Sequence, residues 1–145
     1  MTKISKELFN RRIEEAYEAL EEIREITGMR LDDFMKSRRA RFSLRYSIVL
    51  LVEALADLAV AILEKDFGVV SESYRDAFFG LSEKGVVSAE TVQSMIGLVA
   101  LRNMIVHRYW KVDDTRIYDV ARKNGIGVVE KFISEVSRYV ETKDP

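Results

Sequence analysis

Residues Tyr46–Leu63 read YSIVLLVEALADLAVAIL, and the fold turns on what this run is. It is apolar on nearly every side of a helical wheel, which suits either the central helix of a bundle or a membrane span. Glu53 and Asp57 decide between them, because they place two carboxylates one turn apart at the centre of the run. In hydrocarbon such a pair is costly, whereas in a bundle it needs only partners. The run is therefore read as a buried helix from about Arg41 to Lys65, and no membrane is expected.

The rest of the chain fits around that helix. The 145 residues are 48% apolar and 32% charged, the composition of one soluble domain spanning 1–145. Strand-type alternation is absent and the one proline is Pro145. Ile13, Ala16, Leu20 and Ile23 recur at helical spacing in a first helix from about Ser5 to Ile26, which Gly28 should end. Asp32 or Asp33 is the expected cap of a short piece around DDFMKS, and Ser71 or Ser73 of a helix ending at Gly85. Ser88 should cap the next helix, SAETVQSMIGLVALRNMIVHRYWKV. Asp113 or Asp114 should cap TRIYDVARK, with Gly125 closing it. A last helix from about Gly127 to Glu141 turns Val129, Phe132, Val136 and Val140 inward. The fold class is all-α: an up-and-down antiparallel bundle of four main helices with short extra ones.

Composition also narrows the chemistry. There is no cysteine, which removes disulfides, thiolate metal sites and cysteine nucleophiles. The opening MTKISKELFNRRIEE lacks the apolar core of a signal peptide, so a cytoplasmic location is expected. A net charge of −1 implies no large basic surface, so any nucleic-acid contact is local. The run KSRRARFSLR is one such place: Arg38, Arg39, Arg41 and Arg45 either track an RNA backbone or are a solvated loop and helix start.

The chain's only histidine, His107, lies in RNMIVHRYW, residues 102–110. At about 100° per residue, Val106 lies about 40° from Arg102, Leu98 about −40° and Tyr109 within about 20°. Arg102 thus points into an apolar stripe, where an unpaired guanidinium would be costly. Asn103 and His107 form an i,i+4 pair on its flank. Glu53 and Asp57 on the long helix are candidate partners for Arg102, or candidates to orient His107. One reading makes Arg102 a structural ion pair; the other makes the group a site. With one histidine, no serine on a nucleophile elbow and no Gly-rich phosphate loop, neither a metal nor a cofactor is expected. Metal-free acid–base chemistry remains: a histidine moves protons near neutral pH and an arginine clamps phosphate. That pair suits RNA cleavage by the RNA's own 2′-hydroxyl, and a two-fold dimer would supply a second histidine.

RNMIVHRY has the form R-polar-x-x-x-H-x-Y and resembles the signature of the HEPN superfamily, specifically its HepT-like toxins. The resemblance extends over RYSIVLLVEALADLAVAIL, SYRDAFFGLSEKGVVSAE and YWKVDDTRIYDVARKNG, nearly the whole chain. It implies a helical bundle that forms a homodimer with a motif-lined cleft at the interface. It also implies a metal-independent ribonuclease, the toxin of a toxin–antitoxin pair. Arg102 and His107 match the catalytic positions and Asn103 the polar position after the arginine. The implied partner is a minimal nucleotidyltransferase antitoxin that transfers AMP from ATP to the motif tyrosine, Tyr109. The competing function is a non-catalytic module that binds a nucleotide or docks the nucleotidyltransferase.

Overall fold

A single helix of 30 residues, α3 (Arg38–Phe67), is the element against which most of the others pack. The computed structural model describes residues 2–107 and 111–143. In chain order the elements are α1 (Lys6–Thr27), α2 (Leu31–Lys36), α3, α4 (Tyr74–Glu83), α5 (Ala89–His107), α6 (Asp114–Val120), a π turn (Ala121–Gly125) and α7 (Ile126–Lys143). Among the described residues there is no strand.

Side-chain pairs fix the directions. Thr2 hydroxyl donates to Asp66, Arg12 meets Asp57, and Ser43 hydroxyl donates to Glu22, so α1 runs antiparallel to α3. Arg102 meets Glu53, and Arg45 meets Asp114 just beyond α5, so α5 is antiparallel to α3 as well. The expected four main helices are α1, α3, α5 and α7.

Along α3, Leu44, Ile48, Leu51, Val52, Leu55, Leu58, Ile62 and Leu63 are buried, and Ala56 and Ala59 let neighbours approach closely. By length and composition α3 could cross a membrane, yet 61% of its most apolar window is buried within the bundle, the burial of a core helix. The predicted inward face of α7 is buried throughout: Val129, Phe132, Val136 and Val140. Phe132 meets Phe78 of α4 edge-on, with ring centroids 5.3 Å apart.

The caps show which local signals held. The side chains of Ser5, Ser73 and Asp113 accept from Leu8, Asp76 and Arg116 N–H groups, and Ser88 accepts from Thr91 N–H. Ser73, not Ser71, is therefore the cap of α4, and Asp113, not Asp114, the cap of α6. At α2 the expectation fails: Arg30 occupies the cap without a side-chain bond, and Asp32 and Asp33 lie inside the first turn. The register follows Phe34, which is fully buried 5.0 Å from the ring of Tyr118, and the two acids favour the helix dipole where they stand. Gly85 ends α4 at φ 76, as expected of a left-handed stop, whereas Gly28 follows α1 at φ −76 and uses no such freedom. Gly125 does not close its helix. The chain passes through the π turn directly into α7.

Candidate active site

The C-terminal half of α5 carries Arg102, Asn103 and His107: Asn103 and His107 share a face one turn apart, Arg102 stands at its edge, and all three line one cleft. Arg102 is largely buried, with 17% of its side chain exposed. Its Nη2 donates to Glu53 Oε2 at 3.0 Å and its Nη1 to Asn103 Oδ1 at 3.0 Å. Its Nε is buried and makes no hydrogen bond among the described residues. Glu53 is thus the carboxylate that balances Arg102. Asp57 goes elsewhere: it faces Arg12 of α1, with Nε 3.4 Å from Oδ2, while Arg12 Nη1 donates to Glu15 at 2.7 Å. Partial burial raises the Asp57 carboxyl above its ordinary value, Arg12 opposes this, and Glu53 and Glu15 add to it.

The first turn of α4 completes the site. Ser73, Tyr74 and Arg75 form one wall of a cleft of about 270 Å³ whose other wall carries Arg102, Asn103 and His107. The guanidinium carbon of Arg102 stands 5.0 Å from the centroid of the Tyr74 ring. Burial raises the Tyr74 hydroxyl's pKa first, Asp57 and Glu53 raise it further, and Arg102 pulls against them. His107 is exposed at the last turn of α5. Asn103 and His107, one turn apart, both open into the cleft.

The sequence grouped Arg102, Asn103 and His107 and offered either Glu53 or Asp57 as the carboxylate; it did not point to Ser73, Tyr74 and Arg75. Serine capping was legible at Ser73, but nothing in the pattern placed the start of α4 beside the end of α5. Tyr109, with Arg108 and Trp110, lies outside the described residues.

The basic run divides in two. Arg38 and Arg39 are exposed. Arg45 grips Asp114 with both ends of its fork, Nε to Oδ1 at 2.8 Å and Nη2 to Oδ2 at 2.7 Å. Arg41 adds Nε at 3.6 Å from the same carboxylate and donates from Nη1 to the Met35 carbonyl. The Asp114 hydrogen bond raises Arg45's pKa further, against a smaller lowering by burial. These two arginines fasten the start of α6 to α3 beside a groove of about 760 Å³ that also contains Lys111 and Thr115.

Among the described residues no cluster of three His, Asp or Glu side chains is placed to hold a metal ion. What the cleft does present is a fixed guanidinium with N–H groups to spare, an imidazole a few ångströms of helix further on, and an amide between them. That set can bind a phosphodiester, neutralise charge that develops on it and move a proton.

A family model described as ribonuclease HepT-like matches residues 16–136. A curated tRNA nuclease HepT from Aphanizomenon flos-aquae is 22% identical over 142 residues, 98% of this chain and 96% of its own length. The solved structure of a tri-AMPylated Shewanella oneidensis HEPN toxin in complex with MNT antitoxin matches with TM-score 0.84 at 19% identity, covering 92% of this chain and 99% of that one. YutE from Bacillus subtilis, a cytosolic protein of unknown function, matches with TM-score 0.84 at 19% identity over 99% of this chain and 96% of its own.

Proposed function

This chain belongs to the HepT-like family, and on that premise we propose that it is a metal-independent ribonuclease acting as the toxin of a toxin–antitoxin pair. The observation that carries the reading is the cleft in which Arg102, held by Glu53 and Asn103, opens beside His107. The RNA's 2′-hydroxyl attacks the adjacent phosphorus and the bond to the 5′-oxygen breaks, leaving a cyclic phosphate and a 5′-hydroxyl. His107 takes the proton from the attacking hydroxyl or returns one to the leaving oxygen. Arg102 carries the charge that builds on the phosphoryl oxygens, and Asn103 holds the guanidinium in place. Arg75, exposed on the facing wall, is available to a neighbouring phosphate. Arg38 and Arg39 are likewise free of the Asp114 ion pair and available to the RNA backbone.

A homodimer would bring two histidines to one cleft. Phe42 and Tyr46 support it: they are 53% and 67% exposed. Each lies within about 20° of Glu53 on the α3 wheel, so an apolar stripe continues from the site. Val106 extends it on α5. The proposed partner is a minimal nucleotidyltransferase antitoxin, which would transfer AMP from ATP to Tyr109 and release pyrophosphate. The added phosphate would repel RNA at the cleft.

The test is incubation of total tRNA with the purified protein in excess chelator. Wild type should cleave at many turnovers per protein, and His107→Ala should lose at least about 100-fold with an unchanged circular dichroism spectrum. Undiminished cleavage by clean His107→Ala protein would overturn the assignment. Binding of ATP or of the nucleotidyltransferase without any RNA turnover would favour the non-catalytic docking module instead.

A further inference from the structure

Two in-plane hydrogen bonds hold the Arg102 guanidinium, one at each Nη. Bonds of that kind fix where the fork ends lie but resist poorly a tilt of its plane about the line joining them. The tilt matters, because an arginine binds phosphate through N–H groups that all lie in that plane. The Tyr74 ring, 5.0 Å from the guanidinium carbon, is the contact that supplies the missing restraint.

The ring is itself held firmly. It is half-buried at the first position of α4, directly after the Ser73 cap that accepts from Asp76 N–H at 3.0 Å. Behind it Ala77, Phe78 and Leu81 are fully buried, and Gly80 lies so close to α3 that a Cβ there would stand 2.7 Å from Leu63 Cδ1. Asp57 and Glu53 of α3 raise the Tyr74 hydroxyl's pKa and Arg102 of α5 opposes them, so the ring stands between the charges of the two helices.

We propose that Tyr74 is a positioning residue for the reaction: its ring sets the plane of the Arg102 guanidinium so that the free N–H edge faces phosphate in the cleft. This rests on the ribonuclease reading above. Tyr74 touches Arg102 and not the reacting atoms, so the ring, not the hydroxyl, carries the effect.

The experiment compares wild type, Tyr74→Leu and Tyr74→Phe for steady-state cleavage of total tRNA, with the Arg102 Nε–H resonance followed in a nitrogen–proton correlation spectrum. Tyr74→Leu should lower kcat about tenfold with KM changed by less than about twofold. Tyr74→Phe should restore kcat to within about twofold of wild type, as a ring-based role requires. The Nε–H resonance should carry a ring-current shift in wild type and Tyr74→Phe and lose it in Tyr74→Leu. If Tyr74→Leu does not fold by circular dichroism, Tyr74→Met takes its place as the non-aromatic variant. An active wild type with undiminished kcat in the non-aromatic variant overturns this proposal alone, and so does a Tyr74→Phe protein as impaired as Tyr74→Leu. A wild type silent on RNA removes the ribonuclease reading and this proposal with it.

Discussion

Arg45 and Arg102 are both arginines on apolar helices, and their partners give them different work. The Asp114 side chain is only 9% exposed, so removing Arg45 strands a buried carboxylate with Arg41 alone at 3.6 Å. The Glu53 side chain is 39% exposed and can turn to water when Arg102 is removed. Arg45→Ala should therefore cost about 2–4 kcal/mol of stability. Arg102→Ala should cost only about 1–2 kcal/mol, the cation–π contact plus a partly solvated ion pair, while abolishing cleavage. Urea midpoints of the two variants measure the contrast; equal losses would return Arg102 to a structural role. The need for a carboxylate opposite Arg102 was legible in the sequence, because a guanidinium at the centre of an apolar stripe demands one. Which of Glu53 and Asp57 supplies it was not. The two lie one turn apart, and only the placement of Arg12 on α1 draws Asp57 away.

At the scale of elements, α4 is short, yet it decides the shape of the cleft. It delivers Ser73, Tyr74 and Arg75 to the site and is pressed against α3 at Gly80. Gly80→Ala gains helix propensity of about 1 kcal/mol but forces fully buried Leu63 to move. The expected outcome is a net loss of about 1–2 kcal/mol and a displaced α4, read as a lower melting temperature together with reduced kcat. An unchanged melting temperature would mean that Leu63 repacks freely. Helix starts were legible at Ser5, Ser73, Ser88 and Asp113, whose side chains accept from the first turn, but Ser37, which caps α3 ahead of the expected start near Arg41, was missed. They were misread at α2, where burial of Phe34 against Tyr118 sets the register. The junction of α6 and α7 was misread because Asn124–Gly125 looks like a stop, while the chain there only widens into a π turn.

At the scale of the whole molecule, Asp66 ties three parts of the chain together: Lys3 N–H and the Thr2 and Tyr139 hydroxyls all donate to its carboxylate. Burial alone would raise the Asp66 pKa, but those hydrogen bonds outweigh it and leave the group below its ordinary value. Burial and the bond to Asp66 push the Tyr139 hydroxyl's pKa upward. A carboxyl depressed in the folded state contributes stability above its unfolded value near about 4 and loses it as pH falls through the folded value. A phenol raised in the folded state contributes fully below about 10 and loses it as pH rises through its folded value. Stability should thus fall at both extremes, and Asp66→Asn should flatten the acid limb below about pH 4 while lowering stability at neutrality. Melting temperatures of wild type and variant across pH 2–7 measure this; parallel curves would deny Asp66 the role.

Read alone, the sequence settles the helices and the pairing of Asn103 with His107 one turn further on. Both are local consequences, since 3.6-residue periodicity, caps and the pitch of one helix act within a few residues. Packing settles the rest: that Glu53 is Arg102's partner, that Asp114 claims Arg41 and Arg45, and that Tyr74 and Arg75 close one cleft around Arg102 and His107. Glu53 and Arg102 are 49 positions apart in the chain. What joins them is the packing of α3, α4 and α5, and no short-range pattern records the distance between two helices.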